Sequence, residues 1–236
     1  MSAALPDRTP PVNEQADRLH KFAHDMRNRL SGLYEALKQM AQSDDAERLE
    51  LLEYGERQFF RALREMEVLL DDLGVDRSVQ RIRPTPITLA PLVRKAIAQL
   101  QHRFEGKDQH VVEHLEEKLT VAGDERHLLE AITTLLSNAS KFSPHGTSIE
   151  LRSAIGDGQA ELCVIDQGVG LNEEDLRNIF TRYAWLGSRS TNGEAQGRNN
   201  LSRAHGWINA MGGTIEANSE GEGKGCAFTL RLPLAP

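Results

Sequence analysis

No part of this 236-residue chain is apolar enough to cross a bilayer. A spanning helix needs a run of roughly 18 apolar residues, and no segment approaches it, so membrane insertion is not expected. The N-terminus, Met1-Ser2-Ala3-Ala4-Leu5-Pro6-Asp7, also lacks the basic and apolar regions of a signal peptide. Cysteine is scarce: Cys163 and Cys226 stand alone, both in segments that alternate like strands. A buried, reduced thiol is the expected state of each, and together with the missing signal peptide this points to the cytoplasm. A basic excess is missing too. The formal charge of -7 opposes the counterion displacement that drives nucleic-acid binding, so nucleic acid is not an expected partner. What remains is an ordinary globular composition, 39% hydrophobic, enough to core one large domain or two modest ones.

The chain changes character several times. Residues 1–12 are rich in proline and polar side chains and read as a disordered tail. From Asn13, Leu19, Phe22, Ala23, Met26, Leu30, Leu33, Leu37 and Met40 recur at alternating steps of three and four, which predicts a long helix with one apolar seam. Ser43-Asp44-Asp45 interrupts it, and Asp44 with Glu47 resembles a capping box. A second seam runs through Leu49, Leu52, Phe59, Leu63, Met66, Leu70 and Leu73 to Gly74. Residues 13–75 are therefore expected to form an antiparallel helical hairpin that cannot cover both seams alone. Pairing with a second copy into a four-helix bundle makes a homodimer the expected state.

Residues 76–86, ending Arg83-Pro84-Thr85-Pro86, read as a linker. Residues 87–236 mix periods: helical over 92–104, 127–142, 176–180 and 201–211, extended over 119–121, 148–154, 161–165, 214–217 and 227–232. Hairpin turns are expected at Gly156-Asp157-Gly158 and over 221–225. The fold class this implies is α+β, a sheet and helices in an α/β sandwich, rather than a doubly wound parallel sheet.

Chemistry concentrates in three blocks. In the first, Phe22-Ala23-His24-Asp25-Met26-Arg27-Asn28, His24 borders the seam without filling it, beside a carboxylate and one turn from Asn28. Asp25 can hold one ring nitrogen and leave the other as a nucleophile. The second, Leu135-Leu136-Ser137-Asn138-Ala139-Ser140-Lys141-Phe142, ends an amphipathic helix and offers a hard amide oxygen and a compact positive charge. The third, Val164-Ile165-Asp166-Gln167-Gly168-Val169-Gly170-Leu171, is a strand closing on an acid and two glycines, a pattern that ordinary turns also show.

Taken in order, these blocks resemble the sensor histidine kinases of two-component systems. The first is similar to their phosphoacceptor box, the second to their asparagine box, and the third to the first glycine box of the GHKL ATPases. Ile179-Phe180-Thr181-Arg182-Tyr183 resembles the phenylalanine box that anchors a lid over ATP, and the tail over 212–233 resembles the family's last strands. The resemblance implies a dimerising phosphotransfer hairpin followed by a Bergerat-type ATP-binding sandwich, using ATP and Mg2+. It implies that Asn138 is the magnesium ligand, that Lys141 approaches the phosphates and that Asp166 accepts the adenine amino group. Gly168 and Gly170 would let backbone pass close to the nucleotide, with Phe180 and Tyr183 at the lid. His24 would be phosphorylated, Asp25 would be its base, and Asn28 would position water during dephosphorylation of the partner. That partner would be a response-regulator receiver domain, and the input would come from a separate sensor protein, since no sensor domain is expected within this length.

The pattern departs at the family's second glycine box, where this chain reads Gln196-Gly197-Arg198-Asn199-Asn200-Leu201. Gln196, Arg198 and Asn200 stand where the family has glycines, so side chains replace close backbone approach to the phosphates. Arg198 can itself contact phosphate, and Asn200 tolerates the left-handed conformation. Thr134 stands where the family has an earlier asparagine, and Arg29 replaces a proline, which removes a helix bend. The altered loop keeps a second reading open: a phosphorelay protein that shuttles phosphate through His24 behind a degenerate ATP domain. His110-Val111-Val112-Glu113-His114 spells an inverted zinc-protease motif, but that motif requires a helix, and this segment is expected to be extended. His20, His102, His127, His145 and His205 show no ligand spacing.

Overall fold

A computed structural model describes residues 12–40, 44–72, 84–181 and 200–235. The expected tail up to Pro11, most of the linker, and Tyr183, Gln196, Gly197 and Arg198 lie outside the described residues. The chain divides into two compact units, a helical hairpin and an α+β unit. No helix among the described residues is long and apolar enough to cross a membrane.

The hairpin consists of α1 (Val12–Met40) and α2 (Asp45–Asp72). Asp44 caps α2 by accepting the amide of Glu47 at 3.0 Å, and Arg48 Nε donates to the terminal carbonyl of Met40 at 3.0 Å. The single seam expected along α1 separates into two stripes. Phe22, Met26, Leu33, Ala36 and Met40 turn partly or fully inward, whereas Leu19, Leu30 and Leu37 remain exposed. Leu52, Phe59 and Met66 make a matching exposed heptad stripe on α2. Arg29 sits within the uninterrupted helix α1 and bridges to α2. Its Nε donates to Glu65 at 2.9 Å and its Nη1 to Gln58 at 3.1 Å, with a further Nη2–Glu65 bond closing a bidentate pair.

The second unit begins with β1 (Thr85–Thr88), two residues inside the expected linker, because Thr85 and Pro86 pair with Gly123 and Ala122 of β3 (Thr120–Gly123). Between them lie α3 (Leu89–Gly106) and β2 (His110–His114). Then come α4 (Glu125–Phe142), β4 (Ser148–Gly156), β5 (Gln159–Ile165) and α5 (Glu173–Asn178). The chain closes with α6 (Asn200–Ala210), β6 (Thr214–Asn218) and β7 (Ala227–Pro233). A five-stranded sheet runs β2-β4-β5-β7-β6, antiparallel except where β2 meets β4. The mixed sheet with its helices agrees with the α+β expectation.

Alternation places Ile149 and Leu151 of β4, Leu162 and Val164 of β5, and Leu230 and Leu232 of β7 in one core. Leu128, Ile132, Leu135 and Leu136 of α4 join them at 0% exposure, so α4 is the central helix. Each such side chain stabilises the fold by about 1.5–3 kcal/mol through burial alone. The segment His110–His114 is a strand, and among the described residues no group of His, Cys, Asp and Glu is arranged to hold a metal.

Candidate functional site

In the hairpin, His24 is on the exposed side of α1, with 63% of its side chain accessible. Asp25 Oδ1 lies 3.2 Å from His24 Nδ1, and Asn28 Nδ2 lies 3.4 Å from the same nitrogen. The two contacts compete. When Nδ1 carries its proton it donates to Asp25, and only an unprotonated Nδ1 accepts from Asn28. Both neighbours act on Nδ1, and the first case is the one that leaves Nε2 its lone pair, because a neutral imidazole with an unprotonated Nδ1 carries its proton on Nε2. The structure thus brings His24, Asp25 and Asn28 together.

In the second unit, strand β5 delivers Asp166 to the floor of a cleft lined by Asn138, Phe142, Gly170, Leu171, Cys226 and other apolar side chains. Asp166 is 6% exposed, and its Oδ1 accepts the amides of Gly168 at 2.8 Å and Cys226 at 3.1 Å. Burial pushes this carboxyl up to about 6, and the two amide bonds, which favour the anion, recover only part of that shift. With Oδ1 engaged, the remaining oxygen is the one a ligand can use. An apolar slot with one fixed acceptor suits a flat, amino-bearing aromatic base.

Backbone shape builds the floor. Gly225 donates to Gly168 O at 3.1 Å and Gly223 to Val169 O at 2.7 Å, locking the 221–226 turn onto the Asp166 loop. Gly170 and Gly225 take φ of +70° and +71°, and a methyl on either would overlap a backbone carbonyl, that of Gly221 and of Asp166 respectively. Only glycine fits both the conformation and the contact.

The far wall is the C-terminal end of α4. Val169 N donates to Phe142 O at 3.1 Å, tying helix to loop. Asn138 lines the cleft; Lys141 does not, being 7% exposed with its ammonium 5.5 Å from the Phe142 ring centre. Phe180 stacks on His205 of α6 at 5.0 Å and 22°.

Several contributors escaped sequence reasoning. Lys107, 3% exposed, donates from Nζ to the carbonyls of Ser140 and Ser143 at 2.7 Å each and of Lys141 at 3.4 Å. Gln109 reinforces it, donating to Ser140 O at 3.2 Å and accepting from Ser140 Oγ at 2.7 Å. A buried ammonium at the negative end of α4 thus fixes the turn that carries Asn138. The sequence Gly106-Lys107-Asp108-Gln109 gave no such signal, because the acceptors lie over thirty residues away. Lys107→Met is expected to cost about 2–3 kcal/mol in urea unfolding, since carbonyls in a buried turn lose a charged donor. A cost below about 0.5 kcal/mol would show that the carbonyls re-pair without it. Cys226 also lines the cleft; burial pushes its thiol up to about 12, so it is a neutral wall residue.

Residues 123–236 match the family described as "Histidine kinase-, DNA gyrase B-, and HSP90-like ATPase". The sensor protein KdpD of Clostridium acetobutylicum is 27% identical over 226 residues, covering 93% of this chain and 25% of that protein. The sensor-like histidine kinase SenX3 of Mycobacterium tuberculosis is 29% identical over 208 residues, covering 85% of this chain and 48% of its own length. Among solved structures, a mycobacterial sensor histidine kinase, MprB, superposes with a TM-score of 0.59 at 22% identity, covering 64% of this chain and 99% of that one. The chain spans between a quarter and about half of these curated relatives.

Proposed function

We propose that the chain is a sensor histidine kinase core that phosphorylates His24 from ATP and passes the phosphoryl group to a response-regulator aspartate, a reading supported by its similarity to sensor kinases and by the ATPase family match over residues 123–236. The observation that carries this reading is Asp166, a buried acid held at Oδ1 by two amides and facing an apolar slot. The residues present fit an adenine nucleotide: a single acceptor for the base, a glycine floor that admits no Cβ, and the Asn138 amide as a hard ligand for magnesium. When bound, ATP supplies the transferable phosphoryl group and Mg2+ offsets its charge.

The chain's own residues do the rest. Asp25 holds the Nδ1 proton of His24 and so directs the lone pair of Nε2 outward as the nucleophile. Asn28, one turn on and 3.4 Å from Nδ1, would hold water against the same face. The exposed stripes Leu30 and Leu37 on α1, and Leu52, Phe59 and Met66 on α2, support a homodimer in which two hairpins cover each other. The altered loop over 196–200 favours the alternative, phosphorelay through His24 without ATP.

One experiment separates them. Incubated with magnesium and γ-labelled ATP, the chain is expected to become labelled, and His24→Ala and Asp166→Ala are each expected to abolish the label. Light scattering on the same sample is expected to read two chains. A chain that takes no label and binds no nucleotide by calorimetry, yet accepts phosphate from a phosphorylated receiver, is a phosphorelay protein.

A further inference from the structure

A second cleft opens on the helical layer of the α+β unit, lined by Arg126, Glu130, Thr134, Asn200, Arg203 and Trp207 among others. It lies along the same two helices, α4 and α6, as the first. Glu130, Thr134, Asn138 and Phe142 fall at steps of four along α4; the first two line this cleft and the last two line the slot above Asp166. On α6, Leu201 lines the slot while Asn200 and Arg203 line the second cleft. A ligand whose base sits above Asp166 and whose remainder runs along α4 would pass Asn138 and reach Thr134, about 6 Å further along the helix axis, beside the start of α6.

Two cations line the second cleft, Arg126 and Arg203, and Arg203 is the one on α6, two residues from the Leu201 that lines the slot. Arg94, Arg152, Arg177 and Arg231 are each held by a glutamate, whereas Arg203 meets no carboxylate among the described residues. Its guanidinium lies 4.9 Å over the Trp207 ring, which occupies the face of the cation, and among the described residues no carboxylate takes its N–H edge. The platform is rigid: Trp207 is buried, packs on His127 at 5.4 Å, and His127 is held by Asp124 at 2.8 Å. Glu130 opposes a bare anion, so the cleft suits a phosphate that arrives with a divalent cation.

We propose that Arg203 binds the terminal phosphate of the nucleotide and sets the preference for triphosphate over diphosphate. This rests on the adenine-nucleotide reading above. It also bears on the altered glycine box: where Gln196, Arg198 and Asn200 replace glycines, a side-chain cation one turn into α6 supplies hydrogen-bond donors in place of close backbone approach.

The test is calorimetry on the full chain with adenosine, and with ADP and ATP in excess magnesium. Arg203→Leu is expected to weaken ATP roughly tenfold or more while leaving adenosine within about twofold, collapsing the ATP-to-ADP ratio. Arg203→Lys, a point charge without the fork, is expected to retain part of the ratio. Arg152→Leu, on β4 and lining neither cleft, is expected to leave it unchanged. Arg203→Gln, which keeps a polar group over Trp207, gives the same comparison if the leucine variant does not fold. An unchanged ratio in Arg203→Leu, an equal collapse in Arg152→Leu, or a wild type that binds adenosine and both nucleotides alike overturns the proposal. A wild type that binds none of the three removes the adenine reading as well.

Discussion

Asp166→Asn is expected to lower affinity for ATP by about two orders of magnitude while making the α+β unit more stable at pH 8. The two effects have one cause. Oδ1 is already taken by the amides of Gly168 and Cys226, and an asparagine oxygen can accept both. The other position then becomes an N–H2 group, a donor where an adenine amino group needs an acceptor. Losing a bond to a charged acceptor and stranding a buried donor together cost about 3 kcal/mol of binding.

Stability moves the other way. The carboxyl is raised to about 6 by burial, so the folded state holds its proton more tightly than the unfolded chain, where the value is about 3.9. A raised group contributes stability that is fully present below about pH 4 and is lost as pH rises through 6. Above that, the ionised Asp166 carries a penalty of about 2–3 kcal/mol, which asparagine does not. Urea unfolding from pH 4 to 8 should show the two proteins converging at pH 4 and the variant ahead at pH 8. ATP affinity of the wild type should fall below pH 6 as the acceptor protonates. A variant that is less stable at pH 8 would mark Asp166 as a structural residue instead.

Gly225→Ala is expected to destabilise the α+β unit by about 4 kcal/mol or more, among the largest single-residue effects the fold can show. At φ +71° an alanine is strained by about 1–2 kcal/mol, and its methyl would also overlap the Asp166 carbonyl, which is backbone and has nowhere to go. Relief requires parting the 221–226 turn from the Asp166 loop, which breaks the Gly225–Gly168 and Gly223–Val169 bonds. Gly223 is the control. Its φ is +74°, but a methyl there meets nothing, so Gly223→Asn is expected to cost less than about 1 kcal/mol by thermal unfolding. Equal losses at the two positions would place the cost in backbone conformation rather than in the contact.

These two glycines show where sequence reading stops. Gly221-Glu222-Gly223-Lys224-Gly225 read as a hairpin turn, and it does join β6 to β7. That the same turn also forms the floor under Asp166 is invisible locally, since its partners are some sixty residues away. Lys107 and Arg203 were missed for the same reason. Gly168 and Gly170 were legible because they follow a strand and an acid in a recognisable order, and His24 because its neighbours Asp25 and Asn28 are local.

By itself the sequence determined the two-part organisation and the α+β class, and it marked His24, Asn138 and Asp166 as bearers of chemistry. Period, caps and turns act within a few residues, and side chains one to four apart on a helix meet wherever that helix lies. Tertiary structure alone decided which α1 side chains face α2, and that Lys141 packs on Phe142 instead of lining the cleft. It also decided that two amides from distant loops meet on one oxygen of Asp166. Those outcomes depend on burial and on contacts between segments far apart in the chain, and only packing brings such segments together.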